Sequence, residues 1–155
     1  MAAVEPEIHR LTNSARRTIL CRQHDLLRRR VDAARHAAFA ALAGAEGGKE
    51  LRDTVAALES ELALHLETEE ALLGPVRGAI DAWGAVRLER LQAEHRQQRA
   101  FFLVLTDPSA DILTVARRTI IVCGELFDDM EYEERELFGE DVLRDDCVLL
   151  DAAGD

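Results

Sequence analysis

The sequence predicts an all-α protein, an antiparallel up-down-up-down four-helix bundle with short flanking N- and C-terminal segments. The first observation is composition: 48% of the 155 residues are apolar, mostly Ala and Leu, and only 5% are aromatic, which favours helices over strands. The second is the placement of helix breakers, which leave four long stretches with short connections, and short connections make neighbouring helices antiparallel. The length suits one core, so we expect a single domain over residues 1–155.

The expected helices lie at residues 14–43, 49–73, 84–106 and 109–138. The first and fourth begin at Ser14 and Ser109, whose hydroxyls can accept a hydrogen bond from an unpaired amide of the first turn. Turn residues at Gly84 and at Asp107-Pro108 bound the third helix. Glycines suited to the left-handed position after a helix close the others, namely Gly44, Gly74 and Gly139. Short segments containing His9 and Glu140 to Leu150 are expected to flank the bundle.

The charge and cysteine content exclude several classes of partner. A formal net charge of -11 repels nucleic acid and anionic membrane surfaces, so neither is expected as a partner. The three cysteines are widely spaced and form no CxxC motif, which suits reduced thiols better than a disulfide framework. No apolar run approaches the roughly 20 residues of a membrane span, and the first residues lack the pattern of an export signal. We therefore expect a soluble cytoplasmic protein, while the oligomeric state stays open.

Polar residues interrupt the apolar stripes along which the four helices would pack. The interruptions are three histidines and three carboxylates: His24, His65, Glu69, His95, Asp129 and Glu133. The histidines of the first and third helices lie ~15 Å after the helix starts, at 1.5 Å rise per residue. The residues of the second and fourth helices lie roughly 6 to 14 Å before the helix ends. Antiparallel packing brings these ends together, so all six residues are expected in one layer.

Such a layer predicts a metal site. Burying three carboxylates together is costly because of desolvation and like-charge repulsion, and a polyvalent cation compensates for both. Imidazole and carboxylate without thiolate suit iron best, then manganese or zinc. Six side chains exceed a tetrahedral zinc set, so two metals bridged by Glu69 and Glu133, with histidines as terminal ligands, use the residues most fully.

A weak internal repeat supports this interpretation. The segment HLETEEALLGP, which starts at His65, resembles DMEYEERELFG, which starts at Asp129. The repeat matches Glu69-Glu70 with Glu133-Glu134, so the second and fourth helices end alike.

The residues of this pattern are similar to those of the haemerythrin family, specifically its haemerythrin-like HHE cation-binding domains. The matches are His24 in QHDLLRR, His65 and Glu69 in HLETEEALLGP, His95 in AEHRQQR and Glu133 in DMEYEERELF. The resemblance covers most of the chain. It implies two iron ions in a non-haem site bridged by the glutamates and an oxo or hydroxo group. It also implies that the protein binds or reacts with a small diatomic or peroxide ligand, namely dioxygen, peroxide or nitric oxide.

The chain departs from the family motif at Asp129, where the motif has histidine. As a ligand, a carboxylate would stabilise the ferric state and lower the reduction potential, which favours redox turnover or sensing over reversible oxygen carriage. Loss of the second metal is the alternative outcome. The function then remains open between a diiron oxidoreductase or sensor, an iron sensor or store, and a metal-poor regulatory bundle that binds other proteins.

Three further residues are candidates for supporting the site. Tyr132 can donate a hydrogen bond to a bound oxygen species, with ordinary packing between helices as the alternative. Glu61 and Glu125 precede the ligand pairs by one turn and can accept hydrogen bonds from the imidazoles, with solvent exposure as the alternative.

Overall fold

The computed structural model describes residues 10–44, 47–76 and 84–145, and it contains four α-helices. They are α1 (Asn13–Leu42), α2 (Gly48–Leu73), α3 (Gly84–Leu105) and α4 (Ile112–Glu136), with a 3-10 turn at Gly74–Val76. The described ranges contain no strand, which confirms the predicted all-α four-helix fold. His9 and the end of the predicted C-terminal flanking piece, residues 146–150, lie outside the described residues.

Contacts between neighbouring helices pair residues in opposite chain directions. Gln23 donates a hydrogen bond to Thr68, and further along α1 Arg30 lies 3.8 Å from Glu61, which comes earlier in α2. Reversed pairs also join α1 to α4 (Arg28 with Glu134, Val31 with Cys123) and α3 to α4 (Arg87 with Glu136, Gln98 with Asp129). These helix pairs are therefore antiparallel.

The core consists of two apolar clusters with a polar layer between them. On α1, His24 lies between Leu20 of one cluster and Leu27 of the other. On α3, the polar layer lies between Leu91, which is in the same cluster as Leu20, and Phe102, which is in the same cluster as Leu27. Because burial of these side chains removes apolar surface from water, both clusters favour the folded state and keep water from the layer. The fold thus fixes the depth at which the polar residues meet.

The helix starts differ from the sequence prediction. Thr12 caps α1, since its hydroxyl accepts a hydrogen bond from the Ala15 amide at 3.2 Å. The predicted cap, Ser14, lies inside α1 and donates its hydroxyl hydrogen to Asp145. A threonine two residues upstream offers the same acceptor, so the helix begins earlier.

At the start of α4, Asp111 replaces the predicted cap Ser109. The Asp111 carboxylate accepts hydrogen bonds from both the amide and the hydroxyl of Thr114. Ser109 is held instead by Asp107, which accepts from its amide and its hydroxyl in the connecting turn. These hydrogen bonds lower the pKa of both aspartates, because each one favours the charged carboxylate.

The three glycines predicted in left-handed positions behave differently from one another. Gly44 has φ +82°, as predicted. Gly74 has φ -50° and leads into the 3-10 turn, because the chain continues in a right-handed sense into Pro75. Gly139 is not left-handed either, and it is needed for close approach: a Cβ there would lie 3.0 Å from the carbonyl oxygens of Glu134 and Arg135.

Replacement of Thr12 by alanine is expected to lower the free energy of unfolding by about 1 kcal/mol, because the Ala15 amide loses its acceptor. Thr12→Ser keeps that oxygen and should retain most of the stability. Urea denaturation followed by circular dichroism measures both, and equal losses in the two variants would contradict the assignment of the cap.

Within the described residues, no helix combines the length and the apolar run that crossing a bilayer requires.

Candidate metal centre

Five of the six predicted residues meet inside the bundle, with contributions from all four helices. Their ligand atoms form two groups, in each of which the atoms lie within 4.8 Å of one another. The first group is His24, His65 and Glu133, and the second is Glu69, His95 and Glu133. All five are at most 4% exposed. Glu133 therefore belongs to both groups, in a layer almost closed to solvent.

In the first group, three side chains from three helices approach one point. The Nε2 atom of His24 lies 3.2 Å from Nε2 of His65 and 3.2 Å from Oε2 of Glu133. The His65 nitrogen lies 3.9 Å from the same carboxylate oxygen. Two imidazole nitrogens and a carboxylate oxygen are ligands for borderline transition metals.

In the second group, several buried polar atoms lack hydrogen-bond partners. Neither carboxylate oxygen of Glu69 has one within the described structure, and neither does Nε2 of His95. Glu69 Oε2 lies 3.2 Å from that nitrogen, but the two atoms do not form a well-directed hydrogen bond. An unpaired carboxylate at 0% exposure is costly, and a cation between the two atoms would remove the cost. The residues present therefore fit a metal ion.

The other nitrogen of each imidazole is held by a hydrogen bond. Nδ1 of His24 donates to Glu134 at 2.9 Å, and Nδ1 of His95 donates to Glu70 at 2.7 Å. Because an ionised carboxylate only accepts, each of these two rings carries a proton on Nδ1, and Nε2 is the nitrogen that faces the cluster. Nδ1 of His65 similarly donates to the amide oxygen of Gln23 at 3.1 Å. The rings are thus oriented for ligation before any ion binds.

An arginine anchors each of the two outer carboxylates. Arg28 lies 2.9 Å from Glu134, and Arg99 lies 3.5 Å from Glu70. The pKa of Glu134 is lowered: burial raises it, but the hydrogen bonds from Arg28 and His24 outweigh burial. α1 and α3 therefore resemble each other here, as α2 and α4 do. On each of them the histidine is followed one turn later by an arginine, Arg28 after His24 and Arg99 after His95.

Other residues take the supporting role considered for Glu61 and Glu125, and the alternative, solvent exposure, holds for Glu125. Glu61 lies beside Arg30 at 3.8 Å, and Glu125 is exposed on α4. Glu70 and Glu134 accept from the imidazoles instead, because each lies on the side of its helix facing the neighbouring histidine. The doubled Glu-Glu of the repeat was the pattern that could have identified them.

Tyr132 packs against Arg90 of α3. The guanidinium of Arg90 lies 5.4 Å from the centre of its ring, in a cation–π arrangement between α3 and α4. This contact corresponds to the packing alternative.

Asp129 lies beside the layer and belongs to neither group. Its carboxylate is half-buried and accepts a hydrogen bond from Nε2 of Gln98 at 2.8 Å. Burial raises its pKa, and the charges of Glu133, Glu94 and Glu125 add to the rise. The structure thus gives Asp129 a partner on α3 in place of the direct contact with the cluster that the sequence predicts.

The two central carboxylates have opposite pKa shifts. The pKa of Glu69 is raised by burial and by the negative charge of Glu133. Burial also acts to raise the pKa of Glu133, but hydrogen bonds from His24 and His65 outweigh it and the pKa is lowered. Glu133 therefore carries the more stable negative charge in the metal-free layer. A bound cation would stabilise the charged form of Glu69 most, because burial and Glu133 both disfavour that form.

Comparisons of the chain with protein-family models, with curated proteins and with solved structures found no match. The described groups of histidine and glutamate can hold a metal ion, and this conclusion depends on their geometry and donor chemistry.

Proposed function

We propose that the protein is a non-haem di-metal protein, with iron as the preferred metal, that binds or reacts with dioxygen, peroxide or nitric oxide. The observation that carries the proposal is the pair of buried three-residue groups that share Glu133, with the Glu69 carboxylate unpaired beside it. The resemblance to haemerythrin-like HHE domains favours the same metal and the same ligands.

The donor set supports iron over harder or softer cations. Three imidazoles and two carboxylates face the layer, whereas calcium and magnesium prefer all-oxygen shells. The described cysteines lie outside both groups, and the Cys123 thiol donates to the backbone oxygen of Val31. Burial raises the pKa of Cys123 to about 11, so this side chain stays a neutral thiol.

The space beside the groups supports a ligand of very few atoms. A cavity of about 10 Å³ lies next to His65 and Glu133, which is close to the volume that one water needs. Leu27, Leu62 and Met130 contribute apolar walls. Bound iron would supply the redox electrons and the open coordination positions for such a ligand.

The chain's own residues would orient and shield the site. Glu133 offers one carboxylate to both groups, and the hydrogen bonds to Nδ1 hold His24 and His95 in place. The apolar clusters on either side exclude bulk water, which strengthens electrostatic interactions within the layer. A metal-poor regulatory bundle explains less, because an apolar residue at position 69 would serve such a fold better than an unpaired carboxylate.

The metal content of the purified full-length chain tests the proposal. Expression with iron should yield one iron per group, hence two per chain, with absorption bands that change when the reduced protein meets dioxygen, peroxide or nitric oxide. A chain that neither retains iron nor gains thermal stability from it would overturn the proposal.

Glu134→Gln and Glu70→Gln are each expected to weaken metal binding by about 10- to 100-fold, because the imidazole loses its charged acceptor and becomes a poorer ligand. Competition with a calibrated chelator measures the affinity. Glu131→Gln is the control, since this exposed glutamate makes the same charge change on α4. Equal effects in all three variants would show that only net charge matters.

A further inference from the structure

Two cavities have Gln98 and Asp129, which are joined by a hydrogen bond, in their linings. The inner one is the small cavity beside His65 and Glu133. The outer one is a depression of about 250 Å³ between α3 and α4, open to solvent. Gln98 and Asp129 line both cavities together with Leu126, so these side chains lie between the depression and the metal-binding groups.

The outer depression is negatively charged. Its ionisable lining residues are Glu94, Glu125 and Asp129, and no lysine or arginine of the described chain lines it. Arg90 pairs with Glu94 at 2.7 Å, which leaves the other two carboxylates to set the local charge. A concave surface lined by one sign of charge concentrates ions of the opposite sign and raises their association rate.

Gln98 also presents an unpaired oxygen at the boundary. Its amide nitrogen donates to Asp129, while its buried Oε1 atom has no hydrogen-bond partner within the described structure. Amide and carboxylate oxygens are ligands of divalent cations. The Gln98 amide and the Asp129 carboxylate therefore offer two oxygen ligands to a cation that moves between the two cavities.

We propose that this acidic depression is the route by which a divalent metal ion reaches the buried groups, and that the Gln98–Asp129 hydrogen bond closes the route behind it. The inference rests on the proposed function, because it requires that the groups bind metal. It gives Asp129 a role in metal uptake, with Glu133 as the next carboxylate inward along the inner cavity.

Uptake of Co²⁺ by the folded metal-free chain tests the proposal, followed by the visible absorption of the bound ion at low ionic strength. Asp129→Asn keeps an acceptor for Gln98 but removes the charge, and should slow uptake about threefold to tenfold with the final Co²⁺ per chain unchanged. The difference should shrink towards 1 M salt, where the screening length is about 3 Å. Asp32→Asn, which removes a carboxylate from a different depression, between α1 and α4, should behave like the wild type.

A second variant tests the closure. Gln98→Ala removes the closing side chain and should speed both uptake and the loss of Co²⁺ to a chelator, with Asp129 left charged. Circular dichroism confirms that each variant is folded before mixing.

The outcomes separate the two proposals. A wild-type chain that takes up no Co²⁺ overturns the proposed function, and the route with it. A wild-type chain that binds Co²⁺ at a rate unchanged by Asp129→Asn overturns only the route. A lower final Co²⁺ per chain in Asp129→Asn also overturns the route, because it makes Asp129 a ligand.

Discussion

Replacement of Glu133 by alanine is expected to abolish metal binding at both groups, because this carboxylate is the residue that they share. His24→Ala and His95→Ala each remove a ligand from one group only and should leave about half of the bound metal. Metal per chain, measured after removal of loosely held ions, distinguishes these cases. Glu131→Ala is the matched control, since Glu131 is exposed on the same helix.

Two results would contradict this prediction. If Glu133→Ala retains half of the metal, the two groups do not share a ligand. If Glu131→Ala also loses metal, the loss reflects a general destabilisation of α4. The melting temperatures of the metal-free variants show which of these has occurred.

Glu69→Gln is expected to act in opposite directions on the metal-free and the metal-loaded protein. Without metal, removal of the buried charge should raise the free energy of unfolding by about 1 to 3 kcal/mol. With metal, the wild type gains stability from binding, about 4 kcal/mol per site at a free concentration a thousandfold above the dissociation constant. The variant should lose the gain of the group to which Glu69 belongs. Urea denaturation with and without added metal measures all four states.

The pH dependence of the metal-free proteins gives an independent check on Glu69. The pKa of Glu69 is raised in the folded protein. The carboxyl group therefore contributes stability at low pH, where it is protonated in both the folded and the unfolded protein, and this contribution is lost as the pH rises through the pKa of the folded protein. The advantage of Glu69→Gln should therefore be small below about pH 4 and grow as the pH rises towards neutrality. An advantage that is constant across this range would show that the Glu69 charge does not destabilise the layer.

The fold was predictable because the information lies in long repetitive patterns. Apolar residues at spacings of three and four define four helices, and their lengths align the histidines and glutamates at one depth. The helix starts were less predictable, since Thr12 and Ser14 are both good caps, and only the packed structure shows that Thr12 accepts from an amide while Ser14 donates to Asp145. Tertiary contacts decide between chemically equivalent neighbours.

The sequence predicted which residues converge in the site, but it did not predict their hydrogen-bond partners. The helical stripe places His65, Glu69 and Glu133 inward, and the structure brings them together. Glu70 and Glu134 lie one position further along, off the stripe, so the stripe alone suggests solvent exposure. Their role depends on how close the neighbouring helix comes, which spacing along a single helix does not encode.

The shared carboxylate of Glu133 has a consequence for the way that two ions would load. When one group holds a cation, that cation neutralises part of the negative charge of Glu133, which weakens the attraction for a second cation. The bound cation also fixes the orientation of the Glu133 carboxylate, which favours binding at the other group. The two occupancies are then thermodynamically linked, and each ion alters the affinity for the other by the same factor. A binding isotherm of this protein should therefore depart from that of two independent sites.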